Sequence, residues 1–292
     1  VTVQKVSGAK YNFEIRCEVQ SSGGALSFMY GKDPKSSIEI HFDVPFSEQP
    51  EKNISEITLY NIDPAVFNKI KKGDKVTLRA GFTGDIGTLV EGTIFRTTVP
   101  SLEDADTAYV LRVLEGQDYS RYKKQHITFK KGSKASTIIK SVAAKAGIDL
   151  TYVSLKTDKT YKDGYTADGH PMDTLSDIAD DCKTSLFYLR GKLRIQYIYG
   201  GANTGTFELT NQTGLLQSPT RESRDDDWVD DDDDDGLGKY SWSVDSVLNY
   251  KICPFSKATI KTPYVNTSMM VLNGEHEFDG DQPTTSFEAV QK

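Results

Sequence analysis

Residues 57–100 read ITLYNIDPAVFNKIKKGDKVTLRAGFTGDIGTLVEGTIFRTTVP, and their order of strand, short helix and two strands sets the character of the chain. Ile57 and Leu59 continue a loose alternation begun at Ile54. Asp63 is placed to cap a short helix, Pro64 suits its first position, and Gly73 follows as the stop. KVTLRAGF (75–82) and GTLVEGTIFRTTV (87–99) then read as strands. The glycines of GFTGDIG (81–87) read as a β-turn between them. A dinucleotide fingerprint needs GxGxxG opening a helix, and a phosphate-binding loop needs GK[ST]; neither is present.

The same pattern extends outward. Tyr11, Phe13, Ile15 and Cys17 alternate with polar neighbours, as do Ile38, Ile40 and Phe42, and TAYVLRVLEGQD (107–118) is a further strand. Residues 1–118 are therefore expected to form an antiparallel sheet closed into a barrel or sandwich, with one helix against it. The opening VTVQKVSGAKYNFEIRCEV alternates like a strand and lacks a signal-type apolar run.

Residues 119–200 change character. Ser133 is expected to open the amphipathic helix ASTIIKSVAAKAG, ended by Gly147 and followed by the strand IDLTYV. Thirty-six positions on, Ile139, Val142, Ala143, Ala146, Leu150 and Tyr152 align with Leu175, Ile178, Ala179, Cys182, Leu186 and Tyr188. All are apolar or small, which predicts a duplicated helix–strand unit. Two copies are too few for a solenoid, so a compact α+β domain follows, closed by a hairpin turning at Gly191. Residues 201–292 return to strands: TGTFELTN, LLQSPTRE, KYSWSVDSVLNYKICPFSKATIKT and TSMMVLNGEHEFDGDQPTTSFEAV, with Asn273–Gly274 as a turn signal. The fold class is mainly β with an α+β insertion.

Of 292 residues, 37% are hydrophobic and 26% charged, a balance that supports a packed core. No stretch approaches the roughly 20 apolar residues of a membrane-spanning helix. Cys17, Cys182 and Cys253 are odd in number and lack CxxC spacing, so they read as core residues in a reducing compartment. The net charge of −7 is local: DDDWVDDDDDD holds nine aspartates, Asp225, Asp226, Asp227, Asp230, Asp231, Asp232, Asp233, Asp234 and Asp235, and the rest is near neutral. Such a run repels itself and is expected to stay a solvated surface loop; cation binding there is the weaker alternative, because the EF-hand order is absent. It also argues against this region gripping DNA.

No catalytic, cofactor-binding or metal set emerges. His41, His126, His170 and His276 are scattered, and Glu275 and Glu277 point away from His276 if the segment is a strand. There is no GxSxG nucleophile motif, and nothing singles out a carboxylate pair.

The 57–100 stretch resembles a recurring pattern of bacteriophage baseplate and tail hub proteins: a strand, "kkGD.V.l.aGf" with a glycine turn, then "l.eG.IF". "L.V.EGQDY" leading into KGSKASTIIKSVAAKAGI is similar to the start of their middle domain. KYSWSVDSVLNYKICPFSKATIKT and VLNGEHEFDGDQPTTSFEAV are similar to the segments completing a second barrel. The Asp-rich run departs from the pattern. The resemblance implies two tail-tube-like β-barrel domains, 1–118 and 201–292, enclosing a middle helix–strand domain, 119–200. It implies a non-catalytic homotrimer: a pseudo-sixfold ring of the virion tail baseplate, made in the host cytoplasm and used in DNA ejection and host entry. Its partners would be the tail tube or distal tail protein, the tip or spike protein and the tape measure protein. DNA would pass the lumen without specific binding, with the acidic run lining that lumen or lying outside. Two readings of other classes stand beside it: a tail-associated cell-wall hydrolase centred on the middle segment, and a carbohydrate-binding attachment module using Tyr161, Tyr165, Trp228 and Trp242.

Overall fold

The computed structural model describes residues 12–31, 37–50, 52–103, 105–200, 205–223 and 240–291. Tyr11, Trp228 and the whole run Asp225–Asp235 lie outside the described residues.

The first part comprises β1 (Phe13–Ser21), β2 (Gly24–Tyr30), β3 (Ile40–Phe46), β4 (Ile54–Tyr60), α1 (Pro64–Phe67), β5 (Lys75–Phe82), β6 (Asp85–Thr97), β7 (Ser101–Glu103) and β8 (Asp106–Glu115). Alternation does what the sequence asks of it: Ile15, Cys17 and Val19 are buried while Arg16 and Glu18 face out. Asp63 Oδ1 accepts from the Ala65 amide at 2.7 Å and Pro64 occupies the first turn, so α1 starts where expected. It lasts a single turn. The sheet runs β3-β4-β8-β6-β5-β1-β2 and curls until the Ile38 amide, just before β3, donates to Met29 O on β2 at 2.8 Å. Ile15, Leu59, Leu78, Ile94 and Leu111 are fully enclosed inside it.

The middle part holds β9 (Gln125–Phe129), β10 (Ser133–Lys134), α2 (Ala135–Ala146), β11 (Leu150–Ser154), β12 (Thr160–Tyr161), β13 (Tyr165–Gly169), α3 (Pro171–Asp181), β14 (Ser185–Leu189) and β15 (Lys192–Gln196). The two helices pack on each other beside the sheet β11-β15-β14. The aligned positions other than Tyr152 share one core: Ile139, Val142, Leu175, Ile178, Cys182, Leu186 and Tyr188 are buried, with Ala146 and Leu150 against them. Ser133 does not open α2. Its hydroxyl bonds back to Lys130 O at 2.8 Å, and the helix begins at Ala135 after an extended Lys134. Gly147 ends it in the left-handed conformation, φ 71°. The hairpin turns where expected, with Arg190 and Gly191 both at positive φ (51° and 81°), as a tight two-residue turn requires.

The last part comprises β16 (Thr206–Leu209), β17 (Thr220–Ser223), β18 (Tyr240–Val247), β19 (Lys257–Lys261), β20 (Asn266–Phe278) and β21 (Thr284–Val290). Strand β20 joins the halves. Its first residues pair with β19 and its last, Gly274–Phe278, pair with β3, while β21 lies along its other edge. Among the described residues the result is one path, β17-β18-β21-β20-β3-β4-β8-β6-β5-β1-β2, within a 14-stranded sheet. Among the described residues neither half closes by a continuous ladder. The fold is mainly β, with one sheet serving both ends of the chain.

Asn273–Gly274 is not a turn. It lies inside β20, beside a bulge between Val271 and Asn273. Gly274 is needed for close approach: a Cβ there would meet Ser286 O at 2.3 Å and the Phe46 ring at 2.7 Å.

Candidate functional site

The segment Leu248–Ser256, between β18 and β19, touches every part of the molecule. Leu248 enters the core of the first part, Ile252 that of the last, and Phe255 packs on Phe187 of β14 with ring centroids 5.0 Å apart. Phe187, Phe255, Ile198, Leu272 and Val290 form a separate apolar cluster between the middle and last parts. Burying side chains of this size stabilises by roughly 1.5–3 kcal/mol each, so the parts are braced against each other rather than strung on linkers.

Polar contacts complete this junction. Tyr250 lies against Gly87 so closely that a Cβ there would come within 1.9 Å of the ring. Its hydroxyl donates to Asp85 Oδ1 at 2.9 Å, and Lys251 Nζ donates to Asp85 Oδ2 at 2.9 Å. Arg190, at the tip of the β14–β15 hairpin, donates to Tyr250 O at 2.5 Å. Gly191 donates its amide to Glu115 Oε1 at 3.0 Å, and the Asn53 side-chain amide donates to Glu115 Oε2 at 2.8 Å. Burial pushes the Glu115 carboxyl above its ordinary value, opposed by these hydrogen bonds and the nearby Arg190 charge. His276 is also buried, its Nδ1 2.8 Å from Thr285 Oγ1. Desolvation, with Arg190 adding to it, lowers its pKa from 6.5 to about 3, so the ring is neutral.

Beside the junction lies a cleft of about 590 Å³. Its lining includes Ile94, Phe95 and Leu114, flanked by Lys72 and Arg121. The walls are held in place: Gly73 donates to Ile94 O at 2.7 Å, Ile94 to Asp74 O at 2.9 Å, and Lys52 Nζ to Asp118 Oδ1 at 2.5 Å. The Lys52 hydrogen bond holds the Asp118 carboxyl well below the usual carboxylate range.

The residues weighed for chemistry are dispersed. His41 bonds Glu39 at 2.9 Å, exposed His126 lies 3.3 Å from Asp168, and His170 caps α3 by accepting from the Met172 amide at 3.3 Å. Glu275 and Glu277 are exposed while His276 is buried, the alternation expected of a strand. Among the described residues no group of three or more His, Cys, Asp or Glu is arranged to hold a metal ion, and no helix is long and apolar enough to cross a membrane. Cys17, Cys182 and Cys253 are all buried, and desolvation pushes the Cys17 thiol up to about 12. Tyr161 and Tyr165 pack on each other, centroids 4.8 Å apart, and the Tyr161 hydroxyl donates to Asp181 Oδ2 at 2.7 Å. Trp242 is buried in a different core. These aromatics do not form one exposed platform.

Arg190, Tyr250 and Asn53 were not visible as functional residues in the sequence. Glu115 lies in the quoted EGQDY motif, but nothing local reveals its partners. Of the 81–87 glycines only Gly84, φ 87°, serves the turn; Gly81 and Gly87 lie in the strands and allow close approach of Asp85 O and Tyr250.

No family model and no curated protein matches the sequence. Solved structures do match. A tail protein from Neisseria meningitidis MC58 superposes with TM-score 0.67 at 9% identity, covering 95% of this chain and 97% of that one. The 43 kDa tail protein of prophage MuSo2 from Shewanella oneidensis gives 0.64 at 9% identity, covering 95% and 98%. An Escherichia coli component of the type VI secretion system, described as structurally similar to the T4 bacteriophage tail proteins gp27 and gp5, gives 0.65 at 9% identity over 87% and 74%. The fold is that of phage tail proteins and their type VI secretion counterparts.

Proposed function

We propose that this chain is a structural, non-catalytic baseplate hub of a phage-type tail. The observation that carries the reading is the end-to-end match to tail proteins, in which 95% of this chain and nearly all of each tail protein take part. The two strand-rich regions act as tube-like halves, 1–118 and 201–292, around the middle domain 119–200. Three copies form a ring of six such halves, which reconciles a sixfold tail tube above with a threefold spike below. Closed rings of this kind need large fixed interfaces on rigid subunits. The braced junction at Leu248–Ser256 and the shared strand β20 suit that demand, because both resist motion between the halves.

The partners are further copies of the chain, the tail tube or distal tail protein, the spike and the tape measure protein. DNA crosses the lumen without being gripped, and the mature location is the virion tail. Light scattering on the purified chain tests this. The expected mass is three times that of one chain. A monomer that hydrolyses cell wall would instead favour a tail-associated enzyme.

A further inference from the structure

We propose that the cleft between Lys72 and Arg121 is the docking site for the acidic segment Asp225–Asp235 of a second copy of this chain. The inference rests on the ring reading above, because it needs copies held side by side.

Charge is the first argument. Lys72 and Arg121 flank the cleft, and Lys71, Lys123 and Lys124 stand exposed next to them in sequence. None of these five pairs with a carboxylate among the described residues. Asp118 is the carboxylate in the lining, and it is engaged by Lys52 and by the Ser120 amide at 3.0 Å. The cleft therefore presents net positive charge around an apolar floor. The segment DDDWVDDDDDD is its complement: a run of aspartates interrupted once, by Trp228 and Val229. An aromatic anchor in an apolar recess, ringed by opposite charges, is a common form of specific protein contact.

Position is the second argument. Ile54 pairs with Leu114, Leu114 with Thr93, and Thr93 with Lys75, which places the cleft at one end of the sheet. Ser241 pairs with Val290, and Val290 with Met270, beyond the Gly274–Phe46 pair that leads towards β4. The strands that carry the acidic segment thus open at the same end of the sheet as the cleft.

Reach is the third. Ser223 and Tyr240 pair directly, so residues 224–239 leave and return at one point. Half of that stretch extends to about 27 Å at ~3.4 Å per residue. Six strand steps separate β18 from β6, about 29 Å along the sheet at ~4.8 Å per step. Along the sheet the segment comes to its own cleft only near full extension, and an adjacent copy held beside it in the ring offers a second cleft.

The test uses a fluorescein-labelled peptide of residues 224–239, titrated by anisotropy into the full chain with 225–235 replaced by a Gly/Ser stretch of equal length. Binding is expected to saturate and to weaken at least tenfold in K72E/R121E. Trp228→Ser in the peptide should weaken it as well, and K140E/K145E on exposed positions of α2 should leave it unchanged. No saturable binding, or equal binding to K72E/R121E, overturns the proposal. Light scattering on dilution tests the second-copy claim: K72E/R121E and the Gly/Ser chain should each dissociate at higher concentration than the unmodified protein, with no added effect when combined. Peptide binding with ring stability unchanged in both variants overturns docking between copies. If the unmodified chain forms no ring, the hub reading fails with it; if the ring forms but the peptide does not bind, only this inference fails.

Discussion

Glu115 and Gly191, 76 positions apart, are joined by a 3.0 Å hydrogen bond from the Gly191 amide to the buried carboxylate. The last strand of the first part is thereby tied to the hairpin tip of the middle part. Asn53 donates to the other carboxylate oxygen, so one side chain satisfies two donors. Glu115→Ala leaves both without an acceptor and is expected to cost roughly 2–4 kcal/mol; Glu115→Gln, which keeps one acceptor oxygen, roughly 1 kcal/mol. Urea unfolding of the three proteins checks this, and equal stability of all three would remove Glu115 from the junction.

Glu115 and His276, both buried, respond to pH in opposite directions. Glu115 has a raised pKa, so its folded state prefers the proton; stability from it is full below the ordinary carboxylate value and is lost as pH rises through the raised one. His276 is depressed from 6.5 to about 3, so the unfolded chain takes up the proton first. Its contribution is present above 6.5 and is lost as pH falls towards 3, at up to about 1.4 kcal/mol per pH unit. His276→Gln should flatten the acid side of the stability profile, and Glu115→Gln the rise-in-pH side. Unfolding midpoints from pH 4 to pH 8 separate the two, and an unchanged acid limb in His276→Gln would contradict the buried neutral ring.

Gly87 and Tyr250 should behave as one unit. Gly87→Ala places a methyl group into the Tyr250 ring and displaces its bond to Asp85, an overpacking expected to cost about 1–3 kcal/mol. In a Tyr250→Ala background the same change should cost little. A double-mutant cycle measured by thermal unfolding reads the coupling directly. Additive effects would show that the contact carries no energy.

Phe187 is fully buried between the middle and last parts. Phe187→Ala is expected to cost about 3–5 kcal/mol and to split unfolding into more than one transition, because it weakens the brace between cores that are otherwise intact. Calorimetry distinguishes this from a uniform shift of a single transition, which would mean that the parts do not unfold separately.

What the sequence disclosed follows from range. The Asp63 cap and the turn at Gly191 are written in residues a few positions apart, where backbone geometry leaves few choices. The aligned positions apart from Tyr152 lie in one core, where apolar side chains are required. Strand β20 was misread at Asn273–Gly274 because the glycine answers to Phe46 and Ser286, residues far away in sequence. The joining of both halves into one sheet has no local signal: β3 pairs with β20 across more than 200 positions. The junction was hidden for the same reason. Arg190 meets Tyr250 across 60 positions, and Tyr250 meets Asp85 across 165.

Electron microscopy of the purified chain tests the central claim most directly. Class averages are expected to show a ring of three subunits with a central hole and six lobes. Particles that are solid, or rings whose subunits are not three in number, would contradict the hub assignment.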